Sequence, residues 1–276
     1  MFHKPVSGLA GIALLLLCAV VARSQDFHVS TRIYDLRPAP QAGKQDPRPP
    51  MLRQHCESLF HAGKVYDYND GGSQVTIFEP AQERFVVIDS AKRKATVVSF
   101  EYIDHRLHQA RMRRAEELLN APKIAAGYLD FELHPKFEEE FDKQRQLLSL
   151  DSPFVAYKVK CVPADSPELL EAYLNYADWA ARLNYVSYRT SILPDARLAV
   201  NERLRHWGLL PVKVTLQYKL VNGPQMRAEH KFTWALDGDN RKTISHWDKM
   251  STARDVKHVA PDEFFEQPIK EAKNRR

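Results

Sequence analysis

The chain has 276 residues, of which 44% are hydrophobic, 10% aromatic and 27% charged. This composition is typical of a globular protein and excludes collagen-like, Gly-rich fibrous and largely disordered chains. The formal net charge of +5 raises the question of a nucleic-acid or anionic-membrane partner.

The positive charge is concentrated at the two ends of the chain. Residues 1–24 contain Lys4 and Arg23 and no acidic residue, and residues 267–276 contain four basic residues and one acidic residue. Without these two segments the 40 basic and 35 acidic residues become 34 of each, so the body carries no net charge. We therefore expect no nucleic-acid partner, and we expect residues 266–276 to form a basic flexible tail.

The N-terminal segment has the pattern of a secretory signal peptide. An uncharged, mostly apolar run from Leu9 to Ala22 follows Lys4 and precedes small residues. As a helix this run would span roughly 21 Å, which is shorter than the ~30 Å hydrocarbon core of a bilayer. We predict cleavage after Ser24, export to the periplasm or the extracellular space, and no membrane-spanning segment in the mature chain.

Short β-rich runs fill the first part of the mature chain. Asp26–Leu36 predicts the first strand, and a Pro-rich loop follows over residues 37–50. The next runs are separated by turn sequences typical of β-hairpins, and they predict an antiparallel meander. Its predicted strands cover residues 52–61, 64–68, 74–78, 84–89 and 95–98.

Helices are inserted between strands in the rest of the chain. Helical spacing of apolar residues and capping residues predict helices over 100–120, from Ser166 onward, over 194–207 and over 239–254. Further strands are predicted over 137–142, 146–150, 154–162, 212–220 and 228–236. This order predicts one α+β domain over residues 25–265. We expect a curved, mostly antiparallel sheet of about ten strands, open or half-barrel, with three to four amphipathic helices inserted to cover its apolar face.

Two cysteines, Cys56 and Cys161, remain after removal of the signal peptide. An oxidising compartment allows them to form a disulfide, and two buried free thiols are the alternative. The number of cysteines does not define their geometry, so both interpretations stay open.

The hairpin region carries a resemblance to a known superfamily. Gly63 to Tyr68, followed by Val75 to Pro80 and Arg84 to Asp89, resembles the LolA-like half-barrel superfamily of periplasmic lipoprotein carriers. It is also similar to uncharacterised secreted proteins of planctomycete-type bacteria. The resemblance implies a concave apolar groove that holds acyl chains, with helices as a lid.

The sequence contains none of the common catalytic or nucleotide-binding motifs, including Gly-x-Ser-x-Gly, His-Glu-x-x-His, Walker and Gly-x-Gly-x-x-Gly patterns. His105 and His108 have a spacing that suits a metal, but no third ligand is specified, and a polar helix surface is the favoured interpretation. Asp237, Asp239 and Asn240 are better explained by a helix N-terminus than by a calcium loop. The acidic run over residues 137–142 predicts a solvated, charge-protected strand rather than a pair of glycosidase carboxylates. We expect no cofactor and no metal.

One histidine falls on an apolar strand face. Strand phase places His230 beside Phe232 and Trp234. It is interpreted either as a hydrogen-bonded core histidine or as a polar contact for a ligand headgroup. Aromatic residues of the sheet fill the core by default, and they line a groove if the sheet is open. The candidate groove residues are Tyr66, Phe78, Tyr157, Tyr218, His230 and Trp234.

Three functions follow as hypotheses. The first is an exported, non-enzymatic protein that binds an apolar ligand, such as a lipid or acylated protein, in a sheet concavity. The second is a cell-envelope interaction module with a closed core and an exposed apolar patch. The third is a hydrolase without a recognisable motif, which requires a pocket of clustered titratable groups. The three differ in whether the concave face of the sheet is empty, filled or polar.

Overall fold

The computed structural model describes residues 26–36, 49–188, 192–219 and 223–265. The predicted signal peptide, the basic tail and most of the Pro-rich loop lie outside these residues. Among the described residues, no helix is both long enough and apolar enough to cross a bilayer.

Twelve strands and six α-helices make up the described part of the chain. The strands are β1 (Phe27–Asp35), β2 (Met51–His61), β3 (Lys64–Asn69), β4 (Gln74–Glu79), β5 (Arg84–Asp89), β6 (Lys94–Ser99), β7 (Glu138–Asp142), β8 (Leu147–Asp151), β9 (Val155–Pro163), β10 (Leu209–Tyr218), β11 (Gln225–Thr233) and β12 (Lys257–His258). The helices are α1 (Phe100–Leu119), α2 (Lys123–Leu133), α3 (Pro167–Tyr188), α4 (Asp195–Trp207), α5 (Gly238–Ser251) and α6 (Pro261–Phe265).

All twelve strands belong to one curved sheet, in the order β12-β6-β5-β4-β3-β2-β1-β11-β10-β9-β8-β7. Neighbouring strands are antiparallel except for β12, which pairs parallel with β6. The two end strands of this order are not paired with each other, so the sheet is open. The predicted α+β class and the open, mostly antiparallel sheet are confirmed. The strand number is twelve rather than about ten, and α2, α6 and β12 are additional to the predicted elements.

The inner face of the sheet is covered by α1, α3 and α4. Its core includes Phe60, Phe78 and Phe85, all less than 5% exposed, which meet aromatic side chains of the helices. Phe78 lies 5.7 Å from Tyr176 of α3 and 5.8 Å from Phe100 of α1, measured between ring centroids. Burial of such large apolar side chains is the main favourable term in folding and holds the helices against the sheet.

The outer face of the sheet is covered in part by α5. Tyr66, Val86 and Ile88 point to this side and pack with Ile244 and Trp247 of the helix. Strands β3 to β5 are therefore buried on both faces, which explains the continuous apolar run Phe85 to Ile88. A second, smaller core thus lies outside the main one.

Helix ends follow the predicted capping chemistry. Ser99 accepts a hydrogen bond from the backbone N–H of Tyr102 at the start of α1. Asp237 accepts from the N–H groups of Asp239 and Asn240 at the start of α5, which confirms the interpretation of this cluster as a helix N-terminus. Gly208 ends α4 with a φ of 67°, a conformation that favours glycine.

Candidate functional site

A cavity of about 510 Å³ lies between the inner face of the sheet and helices α3 and α4. The beginning of α4 closes one side of the cavity. Its floor is formed by strands β1, β2, β3, β9, β10 and β11. Most of its wall is apolar. The apolar lining residues are Val29, Ile33, Tyr157, Tyr173, Ala177, Ala180, Ala181, Ile192, Leu193, Pro194, Ala196, Val214, Leu216, Tyr218, Met226 and Ala228.

Small residues on α3 account for the empty space. Ala177, Ala180 and Ala181 lie on the helix face that points to the sheet, because residues three and four apart share one face of a helix. One turn earlier, Tyr173 and Tyr176 occupy the same face and fill the space between helix and sheet. Alanine has no side-chain atom beyond Cβ, so the interior is filled beside the tyrosines and open beside the alanines.

Polar side chains form a strip across the floor of the cavity. In the strand register Cys56 lies opposite Thr31, and Thr31 lies opposite His230, so these three residues form one row from β2 to β11. Ser58 and Asp67 lie opposite each other in the next row. Side chains directly opposite on antiparallel strands share a face, and all five line the cavity.

Asp67 is the acidic group of this strip. The Ser58 hydroxyl donates a hydrogen bond to Asp67 Oδ1 at 2.6 Å, and the Tyr176 hydroxyl bonds to the same carboxyl group. Burial raises the pKa of Asp67 above its ordinary value despite these hydrogen bonds. Burial, and then the charge of Asp67, raise the pKa of Cys56 to about 12, so this thiol is not a nucleophile at neutral pH.

His230 and Arg197 lie at the other end of the strip. His230 Nδ1 is 2.9 Å from Thr31 Oγ1, and the imidazole meets the Tyr173 ring edge to face. Burial, and then the positive charge of Arg197, lower the pKa of His230 to about 3. The imidazole is therefore neutral at physiological pH. The Nη1 atom of Arg197 is buried and has no hydrogen-bond partner.

A second polar cluster lies on the outer face of β1 and β2. Ser30 Oγ is 2.9 Å from His55 Nε2, and His55 Nδ1 is 3.1 Å from Asp70 Oδ2. Glu57 accepts a hydrogen bond from Ser30 at 3.1 Å and also contacts His28. These groups have the order of a Ser-His-Asp relay, the arrangement that carries out acyl transfer in hydrolases.

The environment of this cluster does not support acyl transfer. His55 Nε2 also lies 3.0 Å from Glu57 Oε1, so the carboxylate competes with Ser30 for the ring nitrogen. Ser30 lies in the middle of β1, which is paired on both sides, and its backbone is committed to the sheet. Acyl transfer needs free N–H donors beside the nucleophile to form an oxyanion hole, and this position does not provide them.

The predicted groove residues are divided between four locations. Tyr157, Tyr218 and His230 line the cavity. Phe78 is buried in the inner core, away from the cavity wall. Tyr66 and Trp234 were expected in the groove and lie elsewhere. Tyr66 faces outward, where its hydroxyl donates to Asp248 Oδ1 at 2.9 Å, and Trp234 follows the end of β11 with 41% of its surface exposed.

The two cysteines are free thiols in this structure, so the paired alternative is not observed. Cys56 lies on β2 and Cys161 on β9, which are four strand positions apart in the sheet. At about 4.8 Å per strand their separation along the sheet is about 19 Å, well beyond the roughly 7 Å that a disulfide spans between Cα atoms.

The other predicted polar residues have structural positions. His105 lies on the exposed face of α1 and its Nε2 is 2.9 Å from the side chain of Gln109. In the described segments, no group of three or more His, Cys, Asp or Glu side chains is placed to hold a metal ion. The acidic run forms β7 at one edge of the sheet, with Phe137 and Phe141 packed against the core, as the alternation predicts.

Five residues of the site were not identified from the sequence: Thr31, Ser58, Asp67, Tyr176 and Arg197. A signal existed for Ser58 and Asp67, because they lie two residues from the inward-facing Phe60 and Val65 on the same strands and therefore share the inward phase. Arg197 carries no such signal, since α4 has several arginines and only the tertiary structure shows which of them lines the cavity.

Comparison with models of protein families and with curated proteins finds no match to this chain. The resemblance to LolA-like carriers therefore stays a prediction.

Proposed function

We propose that the protein is an exported, non-enzymatic protein that binds an apolar ligand, such as a lipid or acylated cargo, in the cavity between α3 and the sheet. The observation that carries this proposal is the cavity of about 510 Å³ with mainly apolar walls. Among the three hypotheses, a filled interior would favour an interaction module, and a polar pocket would favour a hydrolase. An apolar void of this size lies within the range of small-molecule sites.

The size of the cavity indicates how much ligand it holds. At roughly 30 Å³ for each water-sized group, 510 Å³ accommodates about 17 such groups. This is the size of one acyl chain of about sixteen carbons. Each buried methylene contributes about 0.8 kcal/mol, so affinity is expected to increase with chain length until the cavity is full. A ligand with several long chains exceeds the volume, so acylated cargo would insert one chain.

The LolA-like resemblance is consistent with this proposal, since that superfamily holds acyl chains in a groove beneath helices. The helix that faces the cavity here is α3, and its alanines supply the apolar wall. Export through a signal peptide at residues 1–24 would bring the protein to the cell envelope, where acylated molecules are abundant.

The test is to fill the cavity by substitution. In Ala180→Phe a phenyl group enters the space beside α3, whereas Ala172→Phe places the same group on the exposed side of the same helix. Binding is measured by the fluorescence of the neutral probe N-phenyl-1-naphthylamine and by native mass spectrometry of protein purified from an exporting host. The phenyl group displaces about seven water-sized groups, so we expect affinity for a sixteen-carbon ligand to fall at least 100-fold.

The matched variant makes the result interpretable. Ala172→Phe should bind like the wild type, and circular dichroism should show that both variants are folded. If the wild type binds neither the probe nor any single-chain lipid, or if both variants bind equally well, the cavity is not a ligand site and the proposal is wrong.

A further inference from the structure

Arg197 is the only Lys or Arg side chain among the described residues that line the cavity. Its Nη1 atom is buried without a hydrogen-bond partner, and no described carboxylate forms an ion pair with the guanidinium. A buried N–H group without a partner is unfavourable, because it has lost its hydrogen bond to water and gained no other. In proteins such a group is ordinarily paired, so an anion from outside the chain would complete this site.

The neighbouring charges do not supply that anion. Asp67 is held by Ser58 and Tyr176 on the floor of the cavity, away from ion-pair distance of Arg197. Asp195, two residues earlier in α4, does not line the cavity and pairs with Arg111 at 3.0 Å. The other basic group nearby, His230, is kept neutral by burial.

The start of α4 adds to the attraction for an anion. Pro194 precedes the helix and provides no side-chain cap, and residues 194, 196 and 197 all border the cavity. The first backbone N–H groups of a helix lack intrahelical partners and carry the positive end of the helix dipole. The guanidinium and this helix end therefore make one wall of the cavity electropositive, whereas the α3 wall is formed by alanines.

We infer that the ligand is a single-chain amphiphile with a carboxylate headgroup, which pairs with Arg197 while its acyl chain lies along the alanine face of α3. This inference rests on the proposed function and specifies the class of ligand. A guanidinium forms two parallel hydrogen bonds with a carboxylate, which gives both strength and orientation. The cavity volume fits one chain, so the ligand is a free fatty acid rather than a phospholipid with two chains.

The inference is tested by comparing ligands that differ only in the headgroup. Dodecanoate, dodecan-1-ol and dodecyltrimethylammonium compete for the cavity against N-phenyl-1-naphthylamine, which is neutral and reports binding independently of Arg197. The proteins are the wild type, Arg197→Gln, Arg197→Lys and the control Arg203→Gln. Arg203 lies on the same helix and is exposed, with its guanidinium on Glu139.

We expect the wild type to bind dodecanoate about ten- to a hundred-fold more tightly than dodecan-1-ol, and the trimethylammonium compound most weakly. Arg197→Gln should lose this preference and still bind the alcohol and the probe, Arg197→Lys should keep part of it, and Arg203→Gln should match the wild type.

Two results would overturn the inference in different ways. If the wild type binds the acid and the alcohol equally, or if Arg197→Gln keeps the preference for the acid, the headgroup assignment is wrong although the cavity still binds apolar chains. If no ligand displaces the probe, or the probe itself does not bind, the proposed function fails and the inference fails with it. The wild-type comparison decides the question even if Arg197→Gln does not fold.

Discussion

His230 should make the folded protein less stable as the pH falls below 6.5, and the size of this effect follows from its pKa. Its pKa is lowered from 6.5 to about 3 by burial and by the charge of Arg197. Below pH 6.5 the unfolded chain binds a proton at this position and the folded chain does not. Stability changes with pH by about 1.36 kcal/mol for each unit over which the two states differ by one proton. Folding therefore loses free energy as the pH falls from 6.5 towards 3.

The substitution that isolates this effect is His230→Asn. The asparagine amide lies where Nδ1 of the imidazole lies, so it can keep the hydrogen bond to Thr31, and it does not titrate. From pH 6.5 to pH 4, about 2.5 units, the wild type should lose about 3 kcal/mol more than the variant. For a chain of this size that difference corresponds to a relative shift in melting temperature of about 6–12 °C.

The measurement is urea denaturation followed by tryptophan fluorescence at pH 7, 5.5 and 4. Other groups titrate in this range, so the result is the difference between the two proteins rather than either curve alone. His108→Asn, at an exposed position on α1, should follow the wild type at every pH. Parallel pH profiles for His230→Asn and the wild type would show that His230 is protonated in the folded state, and that the described burial is wrong.

Two further predictions concern stability. Burial raises the pKa of Asp67, so between pH 3.8 and that raised value the folded state binds more protons than the unfolded state. At a pH above the raised value, Asp67→Asn should be more stable than the wild type by about 1.36 kcal/mol for each unit by which the pKa is raised. Equal stabilities of the two proteins in urea titrations at pH 8 would contradict this. Trp247 of the outer core is 5% exposed, and Trp247→Ala should lower the free energy of unfolding by about 3–5 kcal/mol. Trp234 is 41% exposed, and Trp234→Ala should lower it by about 1 kcal/mol. Similar losses for both variants would contradict packing of α5 on the sheet.

Local pattern was sufficient for most elements of the fold. Alternation in β10 and β11 and the 3.6-residue spacing in α3 are produced by burial of one face, so the sequence alone predicts these elements and their inward residues. The short strand β12 has no comparable signal, because two residues form it only by pairing with β6. The glycine within α2 weakens helix propensity, yet a Cβ there would lie 3.2 Å from the ring of Phe154, so close packing explains it.

The site was predictable only where one face of a strand is buried. Tyr218 and His230 lie on strands of this kind, and their phase predicts the inward direction that both side chains have in the cavity wall. Tyr66 lies on a strand that is covered by helices on both faces, so its burial carries no information about direction. Trp234 continues the alternation in the sequence, but β11 ends at Thr233 and the chain turns away towards α5. The cavity itself depends on how far α3 lies from the sheet, which is a property of tertiary packing.

Several features that weaken a fold are found together in this one cavity. The space beside the alanines gains no packing energy, and burial disfavours the charged form of Asp67. Burial also disfavours protonation of His230, and Arg197 has a buried N–H group without a partner. Elsewhere the same inner face is filled by aromatic side chains in mutual contact, such as Phe60 and Phe78 against Tyr176. A sequence that served stability alone would continue that packing across the strip and replace its polar groups with apolar ones. Unfavourable features concentrated at one position are characteristic of binding sites, because the ligand restores the contacts that the free protein lacks. Bound ligand should therefore raise the melting temperature, and the increase should be largest for a molecule that both fills the volume and neutralises Arg197.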